Sequence, residues 1–93
     1  MISTPWEYQF PEIAEPEQMA KQLQHVRAEV DEAIEAYANE ESYWMVAMEL
    51  MDVIHAAETA LRLLNLNKYY MNGIKHSVIA KNDTRGYYGG ERR

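Results

Sequence analysis

Hydrophobic residues recur every three or four positions along the middle of the chain, a spacing that predicts amphipathic helices. The first helix is predicted from about residue 16 to residue 38, and its apolar stripe comprises Met19, Leu23, Val26, Val30, Ala33, Ile34 and Tyr37. Pro16 suits the first turn, because a residue there needs no backbone N–H for a helical hydrogen bond. Glu17 would favour the positive end of the same helix.

Two further helices are predicted, from Tyr43 to Leu64 and from Lys68 to Asn82. The main stripe of the second is Val46, Leu50, Val53, Ile54, Ala57, Ala60, Leu61 and Leu64, and Met45, Met48, Met51, Ala56 and Leu63 lie outside it. A helix that is apolar on more than one side must be covered on more than one side. In a chain of 93 residues, we expect a second copy to supply that cover. The stripe of the third helix is Tyr70, Ile74 and Val78.

Short polar segments connect these helices. Asn39 or Ser42 can cap the second helix, the run Asn65-Leu66-Asn67 is a break, and Gly86 suits a helix stop. The sequence therefore predicts one all-α domain over residues 1–93, with an N-terminal arm at 1–15, a helical core at 16–82 and a tail at 83–93.

The amino-acid composition narrows the class of protein that we expect. Hydrophobic residues make up 47% of the chain, with two Trp, seven Tyr and six Met, which is more apolar material than one small bundle hides and favours a dimer or a tetramer. The formal charge of -6 opposes binding to a nucleic-acid backbone or an anionic membrane. Cysteine is absent, so disulfides and thiolate metal sites are excluded. We see neither a secretory signal nor an apolar run that could span a bilayer, and expect a cytoplasmic protein.

Two pairs of carboxylates carry the clearest chemical signal. Glu29 and Glu32 stand three residues apart on the first predicted helix, and Glu49 and Asp52 do so on the second. Residues at this spacing share a helix face, so the pairs can face each other if the helices pack antiparallel through their short connection.

Four converging carboxylates would repel one another in a partly dry site unless a cation neutralised them. Oxygen ligands without cysteine select Mg²⁺, with Mn²⁺ as a substitute, and Mg²⁺ completes its shell with water and substrate phosphates. The chemistry indicated is metal-assisted attack of water on a phosphoanhydride. Acidic pairs are also common on solvated helix faces, and most of the remaining acids are expected there: Asp31, Glu35, Glu40, Glu41 and Glu58.

The carboxylate pattern resembles a known family. Glu29-x-x-Glu32, a spacer of sixteen residues and Glu49-x-x-Asp52 resemble the signature of the MazG-like all-α nucleoside triphosphate pyrophosphatases. Downstream, Lys81-Asn82-Asp83-Thr84-Arg85-Gly86-Tyr87-Tyr88 looks like the Lys-x-x-x-Arg ending of small bacterial and phage members. The similarity covers residues 17–88.

The resemblance implies an enzyme that hydrolyses (d)NTPs between the α and β phosphates, giving the monophosphate and pyrophosphate. Glu29, Glu32, Glu49 and Asp52 would hold Mg²⁺, and Lys81 and Arg85 would neutralise the phosphates. Glu32 is our choice for the group that orients or deprotonates the water. Family members assemble as dimers or tetramers with pockets lined by more than one chain.

Other residues are candidates for substrate contacts. Many family members carry Asn three positions before the Lys, where this chain has Val78, and Asn82 or Asn72 could serve in its place. Lys75 could reach a phosphate, and Gln22, His25 and the aromatic Trp6 could contact the base. An alternative from another class is a non-catalytic helical module that binds a partner protein through its spare apolar face.

Overall fold

The computed structural model describes residues 10–89, and these residues form three α-helices without any strand. Helix α1 spans Met19–Ala38, α2 spans Tyr43–Leu63 and α3 spans Lys68–Thr84. The predicted all-α class is therefore confirmed. The chain divides into two units, one containing α1 and α2 and the other containing α3, and each unit is described by itself.

Helix α1 begins three residues later than Pro16, and two contacts hold the segment before it against α2. Arg62 Nη2 donates a hydrogen bond to Phe10 O at 3.1 Å, and His55 Nε2 lies 3.1 Å from Pro11 O. The Phe10 ring also stacks on the His55 ring, with centroids 4.5 Å apart. Gln18 is still extended, with ψ 159°, so the first helical turn follows it.

The polar connections cap the helices that follow them. The Ser42 side chain accepts a hydrogen bond from Met45 N at 3.2 Å, which confirms its predicted capping role. Asn67 Oδ1 likewise accepts from Tyr70 N at 2.8 Å at the start of α3. Each cap satisfies a backbone N–H that has no partner inside its helix.

Helix α3 ends as Gly86 predicts. Gly86 has a φ of 78°, in the left-handed region that favours glycine. The N–H of Tyr87 donates to Asn82 O at 3.0 Å, and the N–H of Gly86 donates to Asp83 O at 2.9 Å. These two bonds form a Schellman cap, in which a left-handed residue turns the chain away from the helix axis.

The end of α1 has the same cap without a glycine. Glu41 N donates to Ala36 O at 3.1 Å and Glu40 N donates to Tyr37 O at 3.0 Å, with Glu40 at a φ of 56°. A side chain in this conformation brings its Cβ close to the backbone, which costs free energy that a glycine avoids. Glu40 is therefore a strained residue at the tip of the α1–α2 hairpin.

Helices α1 and α2 pair antiparallel along a seam of small and polar residues. The buried residues of the two helices are Gln22, Ala33 and Ala36 on α1 and Ala56, Glu58, Thr59 and Ala60 on α2. Along α1 the seam repeats at alternating steps of three and four residues: Met19, Gln22, Val26, Glu29, Ala33 and Ala36. Along α2 it repeats in the same way: Val46, Glu49, Val53, Ala56, Ala60 and Leu63. Small side chains at such positions let two helices approach closely.

Gln22 sets the register between α1 and α2. Its side chain is 1% exposed, and its Nε2 donates to the main-chain oxygen of Ala56 at 3.0 Å. Burial of an amide is favourable only when its hydrogen bonds are made, so a shift in register would carry a penalty. Gln22 is a substrate contact in the prediction from the sequence, whereas the structure places it inside the helix pair.

Four large apolar residues of the predicted α1 stripe lie outside the seam and are exposed: Leu23, Val30, Ile34 and Tyr37. Ile34 is 60% exposed and Tyr37 is 73% exposed, because the smaller Ala33 and Ala36 occupy the contact with α2. An apolar groove runs beside the seam, lined by Val30, Ala33, Ile34, Tyr37, Val46, Leu50 and Val53. Among the described residues, no helix combines the length and hydropathy needed to cross a membrane.

Glu58 does not lie in solvent as the sequence led us to expect. Its side chain is 3% exposed and forms an ion pair with Arg62, one turn further along α2. Arg62 also donates a hydrogen bond to the carbonyl oxygen of Phe10, so the ion pair of Glu58 and Arg62 anchors the segment that precedes α1. The spacing of four residues between the acid and the arginine was the available signal for this pair.

Replacing Glu40 with glycine should stabilise the protein. We expect Glu40→Gly to raise the free energy of unfolding by about 0.5–1 kcal/mol, because glycine adopts the positive φ at little cost. Glu40→Ala removes the same charge but keeps a Cβ at the positive φ, so it should be neutral or destabilising. Urea denaturation of both variants checks the difference, and equal effects would contradict the strain at Glu40.

Replacing Gln22 with glutamate should disrupt the seam in a pH-dependent way. At neutral pH, Gln22→Glu buries a carboxylate against a carbonyl oxygen, and we expect a loss of roughly 2–4 kcal/mol in unfolding free energy. Burial raises the pKa of such a carboxyl, so the loss should shrink as pH falls toward the unfolded pKa of about 4.3. The exposed Gln24→Glu is the matched control and should stay within about 0.5 kcal/mol of wild type.

Candidate metal centre

The register set by Gln22 places two acidic residues opposite each other in the seam. Glu29 lies seven residues after Gln22 on α1, and Glu49 lies seven residues before Ala56 on α2. Seven residues are close to two helical turns, so the pair Glu29–Glu49 repeats the Gln22–Ala56 pairing two turns nearer the hairpin tip. Two carboxylates therefore occupy seam positions that an apolar pair would normally fill.

Glu32 joins this pair from α1. Glu29, Glu32 and Glu49 each offer one carboxylate oxygen, and these three oxygens lie within 4.8 Å of one another. We call these three residues the acidic cluster. It contains three of the four carboxylates expected from the sequence and draws them from both helices, as the antiparallel arrangement predicts.

The three carboxylates differ in exposure. Glu32 is exposed, whereas Glu29 and Glu49 are half-buried by the packing of α1 against α2. Among the described residues, Glu49 Oε1 is buried and has no hydrogen-bond partner. A buried carboxylate oxygen without a donor is unfavourable by itself, and it is a ready ligand for a cation.

The electrostatics of the cluster act most strongly on Glu49. Burial raises the pKa of Glu49 above its usual value of 4.5, and the negative charges of Glu32, Asp52, Glu29 and Glu41 raise this pKa further. Desolvation and like charges both disfavour the ionised form of a carboxyl group. Perturbed acids of this kind concentrate at functional sites.

Asp52, the fourth predicted ligand, is exposed and lies one turn beyond Glu49 on α2. It does not belong to the group whose oxygens lie within 4.8 Å of one another. Its charge nevertheless contributes to the raised pKa of Glu49. Asp52 therefore borders the acidic cluster.

His25 also borders the cluster. Its Nε2 lies 2.8 Å from Oε2 of Glu29, one helical turn away on α1. His25 is a substrate contact in the prediction from the sequence, and the spacing of four residues places it on the same side of α1 as Glu29. The hydrogen bond to Glu29 was not anticipated.

The remaining predicted site residues lie on α3, at its C-terminal cap, or outside the described residues. Lys81 and Arg85 are exposed and four residues apart, so they share one side of α3 and its cap. Lys75 and Asn82 are half-buried, and Val78 is exposed. Trp6 lies outside the residues that the structure describes.

A divalent cation fits the donors of the acidic cluster. The donors are hard carboxylate oxygens from two helices, and one of them, Glu49 Oε1, is buried without a hydrogen-bond partner in the described part of the chain. Mg²⁺ and Mn²⁺ bind such oxygens, while zinc prefers nitrogen and sulfur ligands. A bound cation would also offset the repulsion that raises the pKa of Glu49.

No family model, no curated protein and no solved structure matches the chain. Support for a function therefore comes from the side chains of the acidic cluster and from the sequence pattern around them.

Neutralising Glu49 should stabilise the metal-free protein at neutral pH. The folded state holds the proton of Glu49 more tightly than the unfolded state, so ionisation of this group destabilises the fold above its raised pKa. We expect Glu49→Gln to melt at a higher temperature than wild type at pH 7. The difference should shrink as pH falls through the raised pKa of Glu49 toward the usual value of 4.5.

The exposed Glu35→Gln on α1 is the matched control for that experiment. It removes one carboxylate that does not contribute to the raised pKa of Glu49, so its melting temperature should follow wild type across the pH range. Thermal unfolding in the presence of a chelator measures both variants. A lower melting temperature for Glu49→Gln at pH 7 would contradict the repulsion described above.

Proposed function

We propose that this protein is a Mg²⁺-dependent nucleoside triphosphate pyrophosphohydrolase of the MazG-like type. The observation that carries the proposal is the acidic cluster, in which two helices hold three carboxylate oxygens within 4.8 Å of one another. The spacing of Glu29, Glu32, Glu49 and Asp52 and the basic ending of the chain supply the link to nucleotide chemistry.

The metal ligands in this proposal are Glu29, Glu32 and Glu49, with Asp52 at the border of the site. Bound Mg²⁺, or Mn²⁺ in its place, would withdraw charge from a phosphoanhydride and make water a better nucleophile. Because Mg²⁺ keeps open positions for water and phosphate oxygens, three carboxylates are a sufficient protein contribution.

The proposed reaction is hydrolysis between the α and β phosphates of a (d)NTP. A water oxygen forms a bond to one phosphorus, the bridging P–O bond breaks, and pyrophosphate leaves with the monophosphate as second product. Glu32 is assigned to accept the water proton on a carboxylate oxygen. Its exposure supports this role, because an exposed carboxylate can receive a proton and release it to solvent.

Lys81 and Arg85 are assigned to the phosphates of the substrate. Both are exposed cations separated by one helical turn, so they can bind neighbouring anionic groups. An arginine can also hold two oxygens of one phosphate, which suits the charge that develops on a pyrophosphate leaving group. Lys75 and Asn82 are assigned as further substrate contacts from the same helix.

A second copy of the chain is proposed to cover the apolar groove beside the seam. The groove brings together large side chains that this chain leaves open to solvent, including Ile34 and Leu50. Exposed apolar surface of this kind favours association. The same surface supports the alternative function, a non-catalytic module that binds a different protein.

An activity assay tests the proposed function. We expect wild-type protein with Mg²⁺ to release pyrophosphate and a nucleoside monophosphate from at least one of the eight common (d)NTPs. Glu49→Gln should lower this rate by at least about 100-fold, because it removes a charged metal ligand. Glu35→Gln should retain the wild-type rate.

The products and the response to metal decide between the two functions. Nucleoside diphosphate and orthophosphate would contradict the proposed bond cleavage. Absence of any product, together with a melting temperature that Mg²⁺ and Mn²⁺ leave unchanged, would favour the interaction module, since a ligand that binds only the folded state must raise its stability.

A further inference from the structure

His25 makes its one described side-chain contact with a member of the acidic cluster. Its Nε2 lies 2.8 Å from Oε2 of Glu29, and the carboxylate can only accept, so the imidazole donates. The Glu29 side chain is 15% exposed and that of His25 is 44% exposed. The histidine is therefore the more solvent-exposed partner of a carboxylate that the helix pair mostly encloses.

We propose that His25 is a positioning residue that holds the Glu29 carboxylate in place as a cation ligand. The inference rests on the metal site of the proposed function. A carboxylate has two oxygens, and a hydrogen bond accepted by Oε2 leaves Oε1 for a cation. The bond also restricts rotation of the carboxylate, so less freedom is lost when a cation binds.

The placement of His25 suits this role better than direct contact with substrate. His25 lies one turn before Glu29 on α1, on the helix face that also carries Glu32. Its Nε2 already donates a hydrogen bond to the Glu29 carboxylate. Hydrogen bonds to metal ligands from neighbouring groups typically change metal affinity by 10–100-fold when they are removed.

Three substitutions at His25 test whether the hydrogen bond from Nε2 matters. Glutamine carries its amide nitrogen about as far along the side chain as Nε2 of histidine, whereas the amide of asparagine reaches only about as far as Nδ1. His25→Gln can therefore restore the bond to Glu29, and His25→Asn and His25→Leu cannot. His76→Leu, at an exposed histidine of α3, is the matched control.

Binding of Mn²⁺ is the measurement, followed through the electron paramagnetic resonance signal of the free ion at one fixed pH, well below the melting temperature of each variant. We expect His25→Leu and His25→Asn to weaken Mn²⁺ binding by about tenfold or more. His25→Gln and His76→Leu should stay within about twofold of wild type. A purely structural pair would lower the melting temperature of the His25 variants without changing Mn²⁺ affinity, and that result overturns the proposal.

Failure of the metal site and failure of the positioning role give different results. If wild type binds no Mn²⁺, the metal centre of the proposed function is wrong and the role of His25 falls with it. A second outcome is that wild type and His25→Leu bind Mn²⁺ equally well and Glu49→Gln does not bind it. In that case only the positioning role is wrong. In a Glu29→Gln background, His25→Leu should cause no further loss of affinity, and fully additive losses would also overturn the proposal.

Discussion

Repulsion between carboxylates across the α1–α2 seam is the interaction on which the functional account depends. Glu29 and Glu49 occupy positions where other turns of the same seam carry apolar residues or, at Gln22, an amide that donates a hydrogen bond. Glu32 adds a third negative charge from the rim of the seam. Placing like charges together is unfavourable by itself, which supports the proposal that a cation binds there.

The hairpin holds this unfavourable arrangement in place because its other contacts fix the register. The hydrogen bond from Gln22 to the Ala56 carbonyl sets the pairing two turns away, and small alanines let the helices approach closely. The cap at Ser42 and the strained turn at Glu40 hold the helices at the tip. The ion pair of Glu58 and Arg62 anchors the preceding segment at the other end.

Much of the fold could be predicted from the sequence, because helix periodicity and capping are local properties. The spacing of apolar residues located α1, α2 and α3, and Ser42 and Gly86 act as their residue types predict. The face of α1 that meets α2 could not be predicted in this way. Large side chains dominate a periodicity, yet the contact uses Ala33 and Ala36 and leaves Ile34 and Tyr37 exposed.

Three of the four carboxylates predicted to converge form the acidic cluster, whereas Asp52 borders it. The spacing of the acids indicated that Glu29, Glu32 and Glu49 could converge, and their oxygens do lie together. Two facts required coordinates: that Gln22 is a buried register contact, and that His25 donates to Glu29. The first depends on how far one helix slides along the other, and the second depends on the side-chain rotamers of two residues on α1. A pattern along a single chain specifies neither.

Anomalous diffraction from crystals grown with Mn²⁺ tests the central claim most directly, because it locates the ion itself. The account predicts a peak within coordinating distance of carboxylate oxygens from Glu29, Glu32 and Glu49. A map with Mn²⁺ bound only elsewhere, and with those three carboxylates turned apart toward solvent, would contradict it.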